Sequence, residues 1–145
     1  MSTTIDRRQF VGSCARTLAC AALAGCASIV ARRVPLTDGR IHLPLLQHPE
    51  LSQPEGSLKI LPEGYDEPLY VLRLSETEYT TLSPICTHRG CTVEIEGARL
   101  VCPCHGSTYD RSGRVLHGPA QRSLTRYPTV LSEKGVVIID ARSRE

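Results

Sequence analysis

The sequence predicts an all-β fold. Beyond residue 39 the apolar residues come in short runs, several of which alternate with polar residues, and Gly or Pro separates most of the runs. No run beyond the first thirty residues has the period of a helix. The chain of 145 residues has no Trp and a single Phe, so Val, Ile, Leu and a few Tyr must form the core. This length fits one compact domain.

The predicted strands follow one another closely along the chain. Seven are apolar or alternating runs, at residues 39–46, 57–61, 69–74, 79–83, 99–102, 124–131 and 135–139. Another begins near residue 92, where Val93 and Ile95 share one face, polar residues take the other, and Gly97 then turns the chain. Pro128 has no N–H to donate, which predicts an edge or a bend within its run.

Two short clusters carry most of the chemistry, residues 86–91 (CTHRGC) and residues 102–107 (CPCHGS). Each supplies one Cys and one His at ligand spacing, Cys-x-His in the first and Cys-x-x-His in the second. Two thiolates and two imidazoles can hold an iron-sulfur cluster with mixed ligands, but they are also a closed tetrahedral set for structural zinc. The zinc alternative leaves one further Cys in each cluster without a role.

Over about residues 83–119 the chain resembles the Rieske [2Fe-2S] proteins, in which two His replace two Cys on one iron and raise the reduction potential. The resemblance implies that Cys86 and Cys102 bind one iron of a [2Fe-2S] cluster, and that His88 and His105 bind the other. It also implies the fold of that family, a layered antiparallel barrel with the cluster-binding loops at its tip.

The same resemblance gives roles to neighbouring residues. It joins Cys91 to Cys104 as a disulfide between the two loops. It directs the Ser107 hydroxyl to a bridging sulfide and the Tyr109 hydroxyl to the sulfur of Cys86, where hydrogen bonds favour the reduced cluster and raise its potential. The simpler alternatives are a packing role for Tyr109 and a turn for Ser107.

Residues 118–120, Gly-Pro-Ala, resemble the proline-containing third loop that covers the cluster in high-potential members of that family. Gln121 departs from the pattern, because those relatives often have a second proline there. We therefore expect a looser cover, with a simple turn as the alternative. The remaining histidines, His42, His48 and His117, are interpreted as bystanders.

Residues 1–31 are typical of an export signal. Residues 7–10, Arg-Arg-Gln-Phe, form a twin-arginine pattern, and the apolar run at 17–31 is short for a membrane-spanning helix. Residues 23–26, Leu-Ala-Gly-Cys, resemble a lipobox that would leave lipidated Cys26 as the mature N-terminus. The alternative is an uncleaved helix anchor, as in many Rieske subunits of cytochrome bc complexes. Either anchor predicts a protein at the extracytoplasmic, or periplasmic, face of a bacterial membrane.

After the signal we expect a linker at residues 32–38 and a Rieske domain at residues 39–145. Three of the 17 basic and one of the 15 acidic side chains precede Cys26, so the mature chain keeps 14 of each sign. A net charge of zero with no Lys- or Arg-rich tract argues against a nucleic-acid partner.

The resemblance implies a carrier of single electrons with His88 and His105 as the catalytic residues. Each ring would bind iron through one nitrogen and present the other to solvent or substrate, which couples electron uptake to proton uptake. The first hypothesis is therefore the iron-sulfur subunit of a membrane quinol-oxidising complex, quinol:cytochrome c oxidoreductase-like, that passes electrons to a c-type cytochrome.

One residue favours a different partner. Arg89 stands where relatives in cytochrome bc complexes usually have a Leu that contacts the membrane subunit, and burial of an unpaired guanidinium costs on the order of several kcal/mol. From Arg89 to Arg126 the chain has six arginines and three acidic residues, which would suit an acidic protein. The second hypothesis is an electron-transfer subunit of another exported oxidoreductase, similar to that of arsenite oxidase. The third is a zinc-binding structural lipoprotein.

Overall fold

The computed structural model describes residues 30–145, and the twin-arginine pattern and Cys26 lie outside the described residues. Twelve short strands and two 3-10 helices, Leu45–Gln47 and Pro49–Ser52, make up the described chain. The strands are β1 Arg32–Val34, β2 Arg40–Pro44, β3 Ser57–Pro62, β4 Leu69–Arg73, β5 Tyr79–Leu82, β6 Glu94–Glu96, β7 Arg99–Val101, β8 Thr108–Asp110, β9 Val115–His117, β10 Arg126–Tyr127, β11 Thr129–Leu131 and β12 Val136–Asp140. None of the described helices is long and apolar enough to cross a membrane. The all-β prediction is confirmed.

The strands form three sheets. Their orders are β1-β3-β4-β5-β10, β11-β12-β2 and β6-β7-β8-β9. Strand β4 is buried on both faces, because Leu69 and Val71 point into one core while Tyr70 and Leu72 point into another. The five-stranded sheet is therefore the middle layer, with one core on each side.

The first core lies between the five-stranded and three-stranded sheets. Ile41 of β2 is opposite Ile139 of β12, Leu43 is opposite Val137, and these side chains are almost fully buried. Ile60 of β3 covers them from the middle sheet. Each buried aliphatic side chain contributes about 1.5–3 kcal/mol to the free energy of unfolding. We call the five-stranded and three-stranded sheets around this core the base of the molecule.

The second core lies under the two cysteine-containing loops. Leu82 of the middle sheet packs with Leu100 and Tyr109 of the four-stranded sheet, and the same cluster includes Cys86 and Cys102. All five residues are at most 2% exposed. The two predicted ligand cysteines are therefore part of an apolar core.

All the runs predicted as strands form strands at nearly the predicted bounds. Pro128 ends one strand and precedes another, because β10 belongs to the five-stranded sheet and β11 to the three-stranded sheet. Val93 is fully buried and Ile95 half-buried, as the alternation predicts. Strands β8 and β9 were not predicted, since polar residues or Gly flank these three-residue segments, whereas Val93 and Cys102 extend the patterns of the equally short β6 and β7.

The start of the described chain differs from the prediction. The sequence predicts a linker at residues 32–38, whereas β1 pairs in parallel with β3 and buries Val34. His48, interpreted as a bystander, is 7% exposed, and its Nδ1 lies 3.0 Å from a guanidinium nitrogen of Arg32. Burial and the neighbouring Arg32 lower the pKa of His48, which favours the neutral ring as acceptor. Strand β1 has three residues, of which Val34 is the apolar one, so its sequence shows no pattern that would have predicted a strand.

One arginine joins the base of the molecule to the four-stranded sheet. Arg111 donates to the carbonyl oxygens of Glu55 and Gly56, both at 2.8 Å, and to that of Gly97 at 3.1 Å. Gly97 is at the β6–β7 turn, so this half-buried guanidinium ties that hairpin to the loop before β3. Burial lowers the pKa of Arg111, and a charged group so placed depends on these acceptors.

Arg111→Ala should lower the free energy of unfolding by about 2 kcal/mol, because three carbonyl groups lose a charged donor. Chemical denaturation of the holoprotein measures the change. Arg99→Ala is the matched control, since Arg99 is exposed on the same hairpin and its side chain makes no hydrogen bond within residues 30–145. Equal free energies of unfolding for the two variants would contradict the role of Arg111 as a link between the β6–β7 hairpin and the loop before β3.

Candidate metal centre

The first loop is closed by two backbone hydrogen bonds. The N–H of Cys86 donates to the carbonyl of Cys91 at 2.8 Å, and the N–H of Gly90 donates to the carbonyl of Cys86 at 2.8 Å. Gly90 has a φ of 79°, in the left-handed region that glycine adopts most easily. The loop therefore turns back on itself and directs its Cys and His inward at one end of the molecule.

The second loop repeats this arrangement. The N–H of Cys102 donates to the carbonyl of Ser107 at 2.8 Å, and the N–H of Gly106 donates to the carbonyl of Cys102 at 3.0 Å. Gly106 has a φ of 73°. In both loops a buried Cys at the first position is followed four residues later by Gly, so the two cysteines are held by similar turns.

The two cysteines are unpaired thiols buried next to each other. Burial raises the pKa of Cys86, but hydrogen bonds from Tyr109, the His88 N–H, Cys102 and Ser107 outweigh it and lower the pKa overall. Burial and the neighbouring Cys86 raise the pKa of Cys102. The surroundings therefore favour loss of the proton from Cys86 before loss of the proton from Cys102. A bound metal would neutralise the negative charge on both sulfurs.

The two predicted ligand histidines also meet. The ring centroids of His88 and His105 are 4.8 Å apart and the rings are nearly perpendicular, at 89°. His88 Nδ1 is buried and has no hydrogen-bond partner within residues 30–145. A buried nitrogen without a partner is costly, and coordination of a metal removes that cost. The donor set of two buried sulfurs and two adjacent imidazoles fits a [2Fe-2S] cluster.

A disulfide joins Cys91 to Cys104, as the resemblance implied, and thereby links the two loops. The sulfur atoms of Cys91, Cys102 and Cys104 lie within 4.8 Å of one another. Two of these three sulfurs are bonded to each other, so only Cys102 has a thiolate to offer a metal. The disulfide therefore has a structural role, because it restrains the loops that carry the other donors.

The hydroxyl of Tyr109 lies 3.3 Å from Cys86 Sγ and 3.2 Å from Thr87 Oγ1. Thr87 Oγ1 donates its own proton to the carbonyl of Arg122 at 2.6 Å, so the Tyr109 proton is free for Cys86 Sγ or Thr87 Oγ1. Burial and Cys86 raise the pKa of Tyr109, which keeps the phenol protonated. No sequence pattern points to Thr87, because its role depends on a residue 35 positions away.

Ser107 is completely buried, and its Oγ accepts the N–H of Ala120 at 3.0 Å. The hydroxyl proton is then left for the sulfur side of the site, where it lowers the pKa of Cys86. This contact holds the predicted third loop against the second loop, and the Thr87–Arg122 bond holds it against the first. The three loops form one unit.

A cavity of about 330 Å³ opens between the first and third loops, lined by Thr87, His88, Pro119, Gln121 and Arg122. All six residues predicted to serve the cofactor lie at this end of the molecule, five of them in the loops and Tyr109 on β8 behind them. His117 is the exposed last residue of β9, where the third loop begins. Arg89 is exposed beside His88. We call the three segments that form the surface at this end, residues 83–92, 102–107 and 117–123, the tip.

A family model of the Rieske [2Fe-2S] domain matches residues 46–128, which is more than half of the chain. Among curated proteins, the cytochrome b6-f complex iron-sulfur subunit 1 of the Cyanophora paradoxa cyanelle is 44% identical over 61 residues, 41% of this chain and 26% of that protein. The cytochrome b6-f complex iron-sulfur subunit of Trichodesmium erythraeum is 41% identical over 76 residues, 49% of this chain and 42% of that protein.

A solved structure is also similar, the cyanobacterial plasma membrane Rieske protein PetC3 from Synechocystis PCC 6803. It has 33% sequence identity and a TM-score of 0.50, over 58% of this chain and 85% of that one. The chain spans less than half the length of the two curated relatives. The matched region contains both loops, the disulfide and the third loop, and its cofactor is the [2Fe-2S] cluster that this donor set fits. The chain belongs to the Rieske [2Fe-2S] family.

Proposed function

We propose that this protein transfers single electrons as the iron-sulfur subunit of a quinol:cytochrome c oxidoreductase-like complex. The observation that carries the proposal is the convergence of two buried thiols and two adjacent imidazoles, with His88 Nδ1 buried and unpartnered. The resemblance to two cytochrome b6-f iron-sulfur subunits supports the kind of complex.

In this proposal Cys86 and Cys102 hold one iron, and His88 and His105 hold the other. The cluster supplies a one-electron couple whose potential is raised because neutral imidazoles replace two thiolates. The buried sulfurs stay dry inside the second core, while the two rings lie nearer the surface. The electron therefore enters or leaves on the histidine side.

The histidines also handle a proton. Since Nδ1 of His88 is turned inward, its Nε2 is the nitrogen left to face a substrate in the cavity beside the ring. Nε2 can accept a hydrogen bond from a quinol hydroxyl and take its proton. His105 is exposed and offers a second such nitrogen. Both are catalytic residues in this proposal.

A second candidate is an electron-transfer subunit of another exported oxidoreductase, arsenite-oxidase-like. The exposed guanidinium of Arg89 favours it, because no described residue pairs with that charge and an apolar membrane subunit would have to bury it. The zinc-binding structural lipoprotein is disfavoured by membership of the Rieske family.

We further propose that residues 1–31 direct export by the twin-arginine route and that lipidated Cys26 tethers the protein to the membrane. The name of the similar PetC3 protein, which refers to the plasma membrane, supports a membrane location. The domain would then act at the extracytoplasmic face, where the Cys91–Cys104 disulfide is chemically stable.

The two candidate complexes differ in what accompanies the protein. Affinity purification from native membranes in mild detergent, followed by a haem spectrum and a quinol-to-cytochrome c assay, separates them. Co-purifying haem with quinol oxidation supports the first candidate. Co-purification of a different oxidoreductase without haem or quinol oxidation supports the second and contradicts the first.

The protein matured in its native host should contain two irons and two labile sulfides, and after reduction it should give a Rieske-type electron paramagnetic resonance spectrum. The average g should lie below that of all-cysteine clusters, because nitrogens ligate the reducible iron. Stoichiometric zinc in place of iron would contradict the proposed ligand set.

Tyr109→Phe and Ser107→Ala should each lower the reduction potential by about 40 mV, the one-electron equivalent of one hydrogen bond of about 1 kcal/mol. Each change removes a hydroxyl that stabilises the reduced state. Tyr79→Phe is the matched control, since the Tyr79 hydroxyl donates to Leu51 in the first core. Protein-film voltammetry of the three variants gives the comparison, and unchanged potentials in the first two would exclude the proposed roles.

Cys26→Ala should block signal processing and leave a longer precursor, since only a thiol at this position can form the lipid thioether. Intact mass spectrometry of the detergent-extracted protein should find a wild-type chain that begins at Cys26 and carries a diacylglycerol mass. An unmodified wild-type chain that still contains Arg7 and Arg8 would indicate an uncleaved helix anchor instead.

A further inference from the structure

We propose that the tip is a docking surface for an acidic protein partner, with Arg89 and Arg122 as the two cations that bind its carboxylates. This inference rests on the proposed role of the protein as an electron carrier and names the chemistry of its partner. It concerns the surface around the histidines and not the ligands themselves.

The charge of the tip has one sign. Residues 83–92, 102–107 and 117–123 contain Arg89 and Arg122 and no Asp or Glu. Both arginines are exposed, and neither side chain forms an ion pair or a hydrogen bond within residues 30–145. The chain from Cys26 onward has no net charge, so the positive charge at the tip is balanced elsewhere on the molecule.

Two of the four other arginines between Arg89 and Arg126 are already used. Arg111 donates to three backbone carbonyls, and Arg126 pairs with Glu145 at 3.0 Å. Arg99 and Arg114 have no side-chain partner within residues 30–145 either, but they lie outside the tip. Arg89 and Arg122 are the arginines of the tip, and nothing within the described part of the chain occupies their guanidinium groups. Guanidinium groups without partners are suited to bidentate binding of carboxylates.

Both free cations lie beside His88. Arg89 is its neighbour in the chain, and Arg122 is brought to it across the third loop, because the Arg122 carbonyl accepts the Thr87 hydroxyl at 2.6 Å. Arg122 and His88 line the same cavity. Carboxylates bound by these two arginines would bring a partner's surface to the ring through which the electron leaves.

This surface fits an acidic protein better than the obvious alternatives. An apolar membrane subunit would bury two unpaired guanidinium groups, which is unfavourable. A lipid-binding cluster usually contains about four to eight cations, and the tip offers two. A few complementary charges around a redox centre are sufficient to steer a protein partner and orient it.

The test uses one cytochrome c in two charge states, unmodified with its basic surface and with its lysines succinylated to an acidic surface. The haem spectrum of each form verifies that the fold is intact, so that charge is the variable. Surface plasmon resonance on the full-length holoprotein in detergent gives the Kd, and stopped-flow spectroscopy gives the rate of oxidation. The acidic form should bind more tightly and react faster, and both advantages should shrink as salt is raised.

Arg89→Gln combined with Arg122→Gln should slow association of the succinylated cytochrome by roughly three- to tenfold at low salt and flatten its salt dependence. The control carries Arg33→Gln, since Arg33 is exposed on β1 at the edge of the middle sheet and makes no side-chain bond within residues 30–145. The reduction potential and the cluster spectrum of each variant verify an intact centre.

Equal losses in the tip variant and the Arg33→Gln control would overturn the proposal, as would a preference for the basic cytochrome. Nanodisc-embedded protein that floats with phosphatidylglycerol vesicles through Arg89 and Arg122, without preferring the acidic cytochrome, would assign the surface to lipid instead. If the succinylated cytochrome binds through these arginines but is never reduced, the docking surface stands and the electron-carrier proposal fails.

Discussion

The burial of two thiols in an apolar core is the constraint on which the rest of the structure depends. Cys86 and Cys102 belong to the same packed cluster as Leu82 and Leu100, where an uncompensated thiolate would be expensive. Backbone N–H groups of the loops and the Tyr109 hydroxyl supply the compensation. The four-stranded sheet holds these donors in place over the middle sheet.

The three loops act as one body because a disulfide or a hydrogen bond between a hydroxyl and the backbone connects each pair. The disulfide joins the first to the second, Ser107 joins the second to the third through Ala120, and Thr87 joins the first to the third through Arg122. A donor set of four side chains from two loops requires this restraint, since small displacements of any loop would change the geometry of the set. Arg111 adds a further restraint, because it ties the four-stranded sheet that carries the loops to the loop before β3.

Sequence was sufficient where the signal is local. Alternation predicts the longer strands, Pro128 predicts the bend at which the chain changes sheet, and the Rieske resemblance carried by the spaced Cys and His predicts which side chains meet at the tip. It was insufficient where a role depends on distant residues or on very short elements. The β1 strand has one buried residue, β8 and β9 have three residues each, and Thr87 acts on a carbonyl that only the folded chain brings near.

The buried and exposed parts of the tip can change independently, and this separates the chemistry from the choice of partner. The sulfurs, Ser107 and Tyr109 are enclosed and hydrogen-bonded, so substitutions there would disturb the centre. Arg89 and Arg122 touch none of these groups with their charged ends, so substitutions there leave the core packing intact. In the proposed docking, the choice of partner therefore rests on two surface residues and not on the redox centre. If the proposed docking holds, Arg89 selects an acidic partner at the position where the relatives in cytochrome bc complexes that this chain resembles usually have an apolar Leu.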